Sequence, residues 1–182
     1  MKDKTSIGLY SIVKSLAFAF VAIFICWHFF FAPVTVYGES MAPTFQDKDR
    51  LLVTKQSTIQ RFDVVVFDAP DMEGEYYIKR VIGVPGDRIE MKDDVLYING
   101  KKYEEPYLKE NKEDHPFDKL TEDFSLQEKT GESTIPEGMY FVLGDNRLMS
   151  NDSRFFGLIS RESIIGEVKF RFYPFNVFGM PE

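Results

Sequence analysis

The strongest constraint on the fold is an uncharged, apolar stretch near the N-terminus. Residues 15–38 are 24 consecutive positions without a charge, and 18 of the 21 residues from 16 to 36 are apolar. A helix of about 20 apolar residues crosses a hydrocarbon core about 30 Å thick. The sequence therefore predicts a transmembrane helix at residues 15–36. A buried core helix and a cleaved signal peptide are the alternatives, although a signal peptide usually has an apolar core of only about 7–15 residues.

The charges beside this stretch predict its orientation. Lys2, Lys4 and Lys14 precede the apolar run, and only Asp3 offsets them. Because positive charge tends to remain on the cytoplasmic side, we expect residues 1–14 in the cytoplasm. Residues 37–182 would then form one domain outside the cell membrane, in a single-pass protein.

Composition excludes several classes of function. The one cysteine, Cys26, lies inside the apolar run, so it offers neither an intramolecular disulfide nor a cysteine-rich metal cluster. His28 sits among aromatic residues, which leaves His115 as the one histidine for soluble chemistry. We therefore expect no metal and no cofactor, and any hydrolase here should work without histidine. The net charge of −7 argues against nucleic acid as a partner.

After the apolar run the sequence predicts an all-β domain, partly open or barrel-like, tethered by the single helix. Short β-branched or aromatic runs are separated by polar or glycine-containing turns, and Asn99-Gly100 favours a type I′ hairpin turn. The predicted strands are 51–53, 63–67, 77–82, 95–98, 101–103, 139–143 and the closing aromatic segment 164–175. That closing segment could belong to the core or could rest on a membrane surface.

Residues 104–133 are predicted to be an exposed acidic insertion and not a core element. They contain ten acidic side chains and four lysines, and they show no sustained hydrophobic period. A role in docking a partner or gating a substrate is the alternative.

Ser40 is the first candidate for chemistry. It lies between Gly38 and Pro43, in an irregular segment that could expose a hydroxyl and free backbone N–H groups for a developing oxyanion. Taken alone, a serine in such a segment is more often an ordinary turn residue.

Lys79 is the second candidate. In a strand over residues 77–82 it shares a face with Tyr77 and Val81, and burial between apolar neighbours would lower its pKa toward that of a general base. Arg80 cannot take this role, because guanidinium stays protonated. A lysine that extends from an edge strand into solvent is the alternative.

A polar loop, residues 144–154, follows the predicted strand 139–143. It could hold neighbouring groups in place through hydrogen bonds, or it could be a plain surface turn. In a chain that lacks a usable histidine, lysine is the natural base for a serine nucleophile.

The motifs occur in an order that resembles the bacterial type I signal peptidases, in particular the smaller Gram-positive members with one N-terminal anchor. They are Gly-x-Ser-Met-x-Pro-Thr at 38–44, Arg-Phe-Asp-Val-Val-Val-Phe at 61–67, Lys-Arg-Val-x-Gly-x-Pro-Gly-Asp at 79–87 and Gly-Asp-Asn-Arg-x-x-Ser-x-Asp-Ser-Arg at 144–154. The resemblance covers about residues 33–160.

The resemblance implies a Ser-Lys dyad, in which Ser40 is the nucleophile and Lys79 the general base. Ser150 matches the hydroxyl that orients the base. Asp152 with Arg154, and Asp145 with Arg80, match two supporting ion pairs. The oxyanion site would combine the Ser40 N–H with a donor at Gly38, where some members carry a serine hydroxyl that glycine lacks.

The resemblance also implies the substrates, which are exported preproteins cut after small residues at positions −1 and −3. The matching pocket walls are Val34, Val36, Met41, Phe45, Val66, Tyr77 and Ile78. Membrane lipid and the secretion machinery are the other expected partners. Two rival classes stay open: a self-cleaving Ser-Lys protease akin to stress-response repressors, and a non-catalytic tethered module that binds secretion components.

Overall fold

The computed structural model describes residues 3–117 and 119–180, which form mainly β-strands after one long N-terminal helix. The strands are β1 (Phe31–Thr35), β2 (Arg50–Thr54), β3 (Val64–Asp68), β4 (Tyr76–Gly83), β5 (Ile89–Lys92), β6 (Val95–Ile98), β7 (Lys101–Tyr103), β8 (Phe124–Ser125), β9 (Met139–Leu143), β10 (Ile159–Ser160) and β11 (Ile164–Tyr173). The helices are α1 (Asp3–Phe30), α2 (Lys109–Asp114), α3 (Leu126–Thr130) and α4 (Ser153–Phe156), with 3₁₀ turns at Pro106–Leu108 and Phe175–Val177.

Helix α1 ends six residues earlier than the sequence predicted. Residues 31–35 form β1 and pair in antiparallel fashion with β2, so the expected helix over 15–36 is wrong at its C-terminal end. Pro33 explains the change, because proline cannot donate the hydrogen bond that an α-helix requires but is tolerated on an edge strand. The backbone N–H of Lys55 donates to the Phe30 carbonyl, and the Lys55 ammonium donates to the His28 carbonyl, which joins the helix end to the domain.

Within α1, the segment Ile12–Phe30 is long and apolar enough to cross a membrane, with a mean hydropathy of 2.0. None of it is buried within the structure, which argues against the alternative of a soluble core helix. At 1.5 Å per residue, these 19 residues extend roughly 28 Å, close to the thickness of a hydrocarbon core.

The larger sheet has seven strands in the order β1-β2-β11-β3-β4-β9-β10. Its order is linear, and the described residues show no pairing that closes it into a barrel, so the mostly β interpretation is confirmed while the barrel-like detail is not. The predicted strands at 95–98 and 101–103 match β6 and β7. Asn99 and Gly100 both have positive φ, as a type I′ turn requires.

The smaller sheet, in the order β7-β6-β5-β8, corrects the interpretation of residues 104–133. This segment supplies β8 and buries several apolar side chains, although we expected an exposed insertion. The buried side chains are Tyr107, Leu108, Leu120, Phe124 and Leu126. Sparse apolar residues within a highly charged segment give no regular period, so the sequence does not show their burial. Phe124 and Leu126 pack in the core cluster beneath the second sheet.

Candidate active site

A cleft of about 630 Å³ lies between β1 with its following loop and the N-terminal half of β4. Three strands separate β1 from β4 in the sheet order, so the sheet must curve to bring both elements to one cleft. Ser40 and Lys79 line this cleft together with Met149 and Asn151 of the polar loop. The three sequence segments that we singled out therefore meet at one place.

Ser40 and Lys79 are in direct contact across the cleft. Lys79 Nζ lies 2.7 Å from Ser40 Oγ and 3.1 Å from the carbonyl oxygen of Ile78. Strand β4 directs the lysine side chain, whereas Ser40 lies in the turn that follows β1. This distance is within hydrogen-bond reach, so a neutral amine could accept the hydroxyl proton.

Lys79 is buried, with only 3% of its surface exposed. Burial lowers its pKa from the ordinary 10.5 to about 8, although the carboxylates of Asp152, Asp145 and Asp71 act in the opposite direction. At mildly alkaline pH, Lys79 is therefore an uncharged amine in a substantial fraction of the protein molecules. The alternative of a lysine that extends into solvent is excluded by this burial.

Two buried ion pairs surround the contact. The Arg80 guanidinium donates to both carboxylate oxygens of Asp145, at 2.9 and 2.6 Å, and Thr44 Oγ1 donates to the same carboxylate at 2.6 Å. Arg154 donates to both oxygens of Asp152, at 2.7 and 2.8 Å. The second oxygen of Asp152 also accepts the Gly144 N–H at 3.0 Å, so this pair holds the polar loop at its first residue.

Gly144 is the point where the polar loop meets the loop that carries Ser40. A Cβ at Gly144 would lie under 3.0 Å from both the Ser150 side chain and the Ser40 carbonyl oxygen, so no larger residue fits. The Asn146 N–H donates to the same Ser40 carbonyl at 3.0 Å. Ser150 is thus close to the candidate site, and its buried hydroxyl has no hydrogen-bond partner among the described residues.

Comparison with known proteins assigns the chain to a protein family. Residues 9–173 match the family described as signal peptidase, peptidase S26. The chain belongs to the signal peptidase family. It is 46% identical over 174 residues to signal peptidase IB of Staphylococcus aureus, covering 91% of this chain and 90% of that protein. It is 49% identical over 154 residues to signal peptidase I of Bacillus caldolyticus, covering 82% and 84% of the two chains.

A solved structure supports the same assignment. The crystal structure of a signal peptidase I from Enterococcus faecalis is similar, with a TM-score of 0.58 at 46% identity, and the match covers 61% of this chain and 97% of that one. The chain is therefore a serine peptidase that removes signal peptides from exported preproteins. This decides against both rival classes, the self-cleaving repressor and the non-catalytic tethered module.

The signal peptidase cleft contains most, but not all, of the expected wall residues. Val34, Val36, Val66, Tyr77 and Ile78 line it. Met41 and Phe45 do not; they are 1% and 0% exposed and pack in the core behind the wall, with Leu51, Val53 and Val168. Motif position alone cannot tell a residue that faces the cleft from one that supports it.

The backbone N–H of Gly38, which we expected to bind the oxyanion, already donates a hydrogen bond within the protein. The Gly38 N–H donates to Asp47 Oδ1 at 3.1 Å, and Gly38 has a φ of 81° that glycine adopts readily. In this conformation its N–H is therefore not free to bind an oxyanion. Among the described residues, the Ser40 N–H donates to no other group, so it remains the available donor.

The signal peptidase site also includes residues that the sequence analysis missed. Asn151 Nδ2 donates to Asp71 Oδ2 at 2.7 Å, which joins the turn between β3 and β4 to the polar loop at the cleft rim. Burial, together with the nearby Asp71 carboxylate, raises the pKa of the Tyr77 hydroxyl. Asp71 lies in a turn that contains no sequence motif, so only the tertiary structure shows that it belongs to the site. Across the described residues, no cluster of three or more His, Cys, Asp or Glu side chains could hold a metal.

Proposed function

We propose that this signal peptidase uses a Ser40–Lys79 dyad. The observation that supports it best is the 2.7 Å separation of Lys79 Nζ and Ser40 Oγ in a buried position within the cleft. Neutral Lys79 takes the hydroxyl proton as Ser40 Oγ attacks the scissile carbonyl carbon. The resulting ammonium then donates that proton to the departing amine, which leaves an acyl-enzyme.

Hydrolysis of the acyl-enzyme follows the same path in reverse. Neutral Lys79 removes a proton from water, the hydroxide attacks the ester carbonyl, and Ser40 Oγ leaves with the proton from Lys79. The Ser40 N–H stabilises the oxyanion in both steps, and a second donor would have to come from substrate-induced adjustment near Gly38. The Arg80–Asp145 and Asp152–Arg154 pairs hold the loops. Ser150 Oγ makes no hydrogen bond to Lys79 Nζ in this structure, so its role in orienting the amine stays a prediction.

The cleft wall supports selection of small residues at positions −1 and −3. In an extended peptide, alternate side chains point to the same side, so these two positions face one wall together. That wall is apolar and contains Val34, Val36, Val66 and Ile78. Large side chains at either position would collide with it, whereas alanine would fit.

We also propose that Ile12–Phe30 anchors the peptidase in the cell membrane, in contact with lipid, with the N-terminus in the cytoplasm and the catalytic domain outside. The uncharged run and the preceding lysines support this orientation. Such an anchor would place the cleft close to the membrane surface, where secretion machinery releases preproteins.

The function is tested by incubating the purified full-length protein with a model preprotein that carries Ala-x-Ala before the cut. We expect one new N-terminus, mapped by mass spectrometry directly after the second alanine. Leucine at −1 or −3 should reduce kcat/KM by at least roughly 10-fold, because the apolar wall excludes it. Leucine at −2 is the matched control and should cleave normally. Equal cleavage of all variants would overturn the proposed specificity.

The pH dependence tests the role of Lys79 as base. Because the active form is the uncharged amine and the pKa of Lys79 is about 8, kcat/KM should rise with pH and level off above that value. Asp71→Asn removes a carboxylate that raises this pKa, so the rising limb should move to lower pH. Asp68→Asn, in the same hairpin but not among the charges that act on Lys79, should leave the limb unchanged. A flat profile would contradict a lysine base.

A further inference from the structure

We propose that the first part of the acidic insertion, residues 104–117 and 119–121, positions the catalytic groups, with Asn111 as the principal positioning residue. It would do so by holding the nucleophile loop, residues 40–45, against the polar loop 144–154. The inference rests on the proposed Ser40–Lys79 dyad. It assigns a role to a segment that the sequence marked only as charged and exposed.

Asn111 forms the most direct link. Its side-chain amide donates one hydrogen bond to the Ala42 carbonyl at 3.2 Å and another to the Asp145 carbonyl at 2.9 Å. One NH₂ group thus connects the nucleophile loop to the polar loop. The first bond is at Ala42, two residues after Ser40, and the second is at Asp145. Because both acceptors are backbone carbonyls, the bonds control the positions of the loops themselves.

A buried ion pair forms the second link. The side chains of Arg147 and Glu105 are in contact, with exposed fractions of 0% and 3%. Arg147 also donates to the Gly144 carbonyl at 3.0 Å and to Thr121 Oγ1 at 3.1 Å. One guanidinium therefore joins the insertion to the first residue of the polar loop, next to the Ser150 side chain.

Tyr107 forms the third link, to the strand that carries the base. The Arg80 guanidinium lies 4.0 Å from the centroid of the Tyr107 ring, in a cation–π contact. Arg80 follows Lys79 directly, and the same guanidinium holds the Asp145 carboxylate. The insertion thus contacts all three segments that build the site but none of the reacting atoms.

This arrangement matters because catalysis depends strongly on small displacements. A shift of about 1 Å between reacting groups can cost about 100-fold in rate. Loss of the Asn111 bonds would let the Ser40 loop and the Asp145 loop move relative to one another. Substrate binding would change little, because the insertion residues named here do not line the cleft.

The test is Asn111→Ala in the full-length protein, assayed on the model preprotein at a temperature where it is fully folded. We expect kcat to fall roughly 10- to 100-fold while KM stays within about 2-fold. Asn111→Asp has nearly the same volume but points carboxylate oxygens at two carbonyls, so it should lose at least as much. Lys112→Ala, at an exposed neighbour on α2, is the control and should match the unmodified protein.

Several outcomes would overturn the inference. They are an unchanged kcat in Asn111→Ala, a change in KM alone, or a loss of activity that only parallels the unfolded fraction. If Asn111→Ala does not fold, Tyr107→Leu, which removes the ring over Arg80, replaces it with the same kcat criterion. Tyr107→Phe keeps the ring over Arg80 but loses the hydroxyl hydrogen bond to Glu105 Oε1, at 2.7 Å, so it should restore most but not all of the activity. If Ser40→Ala retains cleavage, the dyad itself fails; if Ser40→Ala is inactive and Asn111→Ala is not impaired, only this inference fails.

Discussion

Lys79→Arg is expected to abolish signal-peptide cleavage, although it preserves the positive charge and much of the length of the side chain. Guanidinium stays protonated, so it cannot accept the Ser40 proton at any accessible pH. Ser40→Ala should be equally inactive, because the attacking oxygen is gone. We expect kcat to fall by on the order of 10⁴-fold or more in each variant, as when a member of a catalytic unit is removed.

The measurement is single-turnover cleavage of the model preprotein by each purified variant, with thermal unfolding to confirm the fold. Combining the two substitutions should cost little more than either alone, since both residues act in one step. Lys102→Ala, in β7 of the other sheet, is the matched control and should retain full activity. Measurable turnover by Lys79→Arg at a rate near that of the unmodified protein would exclude lysine as the base.

Asp145→Ala is expected to destabilise the domain by about 3–5 kcal/mol, because it leaves the Arg80 charge buried without its partner. The Asp145 side chain is 1% exposed and that of Arg80 is 12% exposed, so water cannot readily replace the lost carboxylate. Thr44 also loses the acceptor of its hydroxyl. The free energy of unfolding, measured by denaturant titration of the full-length protein in detergent, reports this loss.

A double-mutant cycle separates the lost pair from the unpartnered charge. The cycle compares the single variants Arg80→Leu and Asp145→Leu with the double variant. The double variant should be destabilised by less than the sum of these two single variants, because it leaves no unpaired charge behind. Glu113→Ala breaks the exposed Lys109–Glu113 pair of α2, whose atoms lie 3.8 Å apart, and should have no measurable effect. Additive single effects at Arg80 and Asp145 would contradict a coupled buried pair.

Local patterns predicted seven of the eleven described strands and the hairpin, but they missed β1, β5, β8 and β10. The turn at Asn99-Gly100 and the strands β6, β7 and β9 depend on residues close together in sequence, so a short window contains the needed information. The end of α1 was missed because apolarity continues through residues 31–36, and only pairing with β2 makes them a strand. Apolar residues are compatible with both a membrane helix and an edge strand, so apolarity alone does not show where the helix ends.

The candidate site divides in the same way. The sequence motifs identified the residue types and their order, including Ser40, Lys79 and the two carboxylates that pair with arginine. Glu105 and Asn111 carried no signal, because the partners that connect them to the site lie 34 to 69 residues away along the chain, and their segment has no periodicity. Met41 and Phe45 were misplaced since motif position does not tell which side of the cleft wall a side chain occupies.

By itself, the sequence determined that an apolar helix precedes a β-rich domain, and that a serine, a lysine and a polar loop recur in the order typical of one peptidase family. Only the tertiary structure decided that Ser40 and Lys79, 39 residues apart, are in contact and that the amine is shielded from water. The physical reason is that desolvation, which lowers the pKa of Lys79, depends on every element packed around it. No local stretch of sequence contains that information.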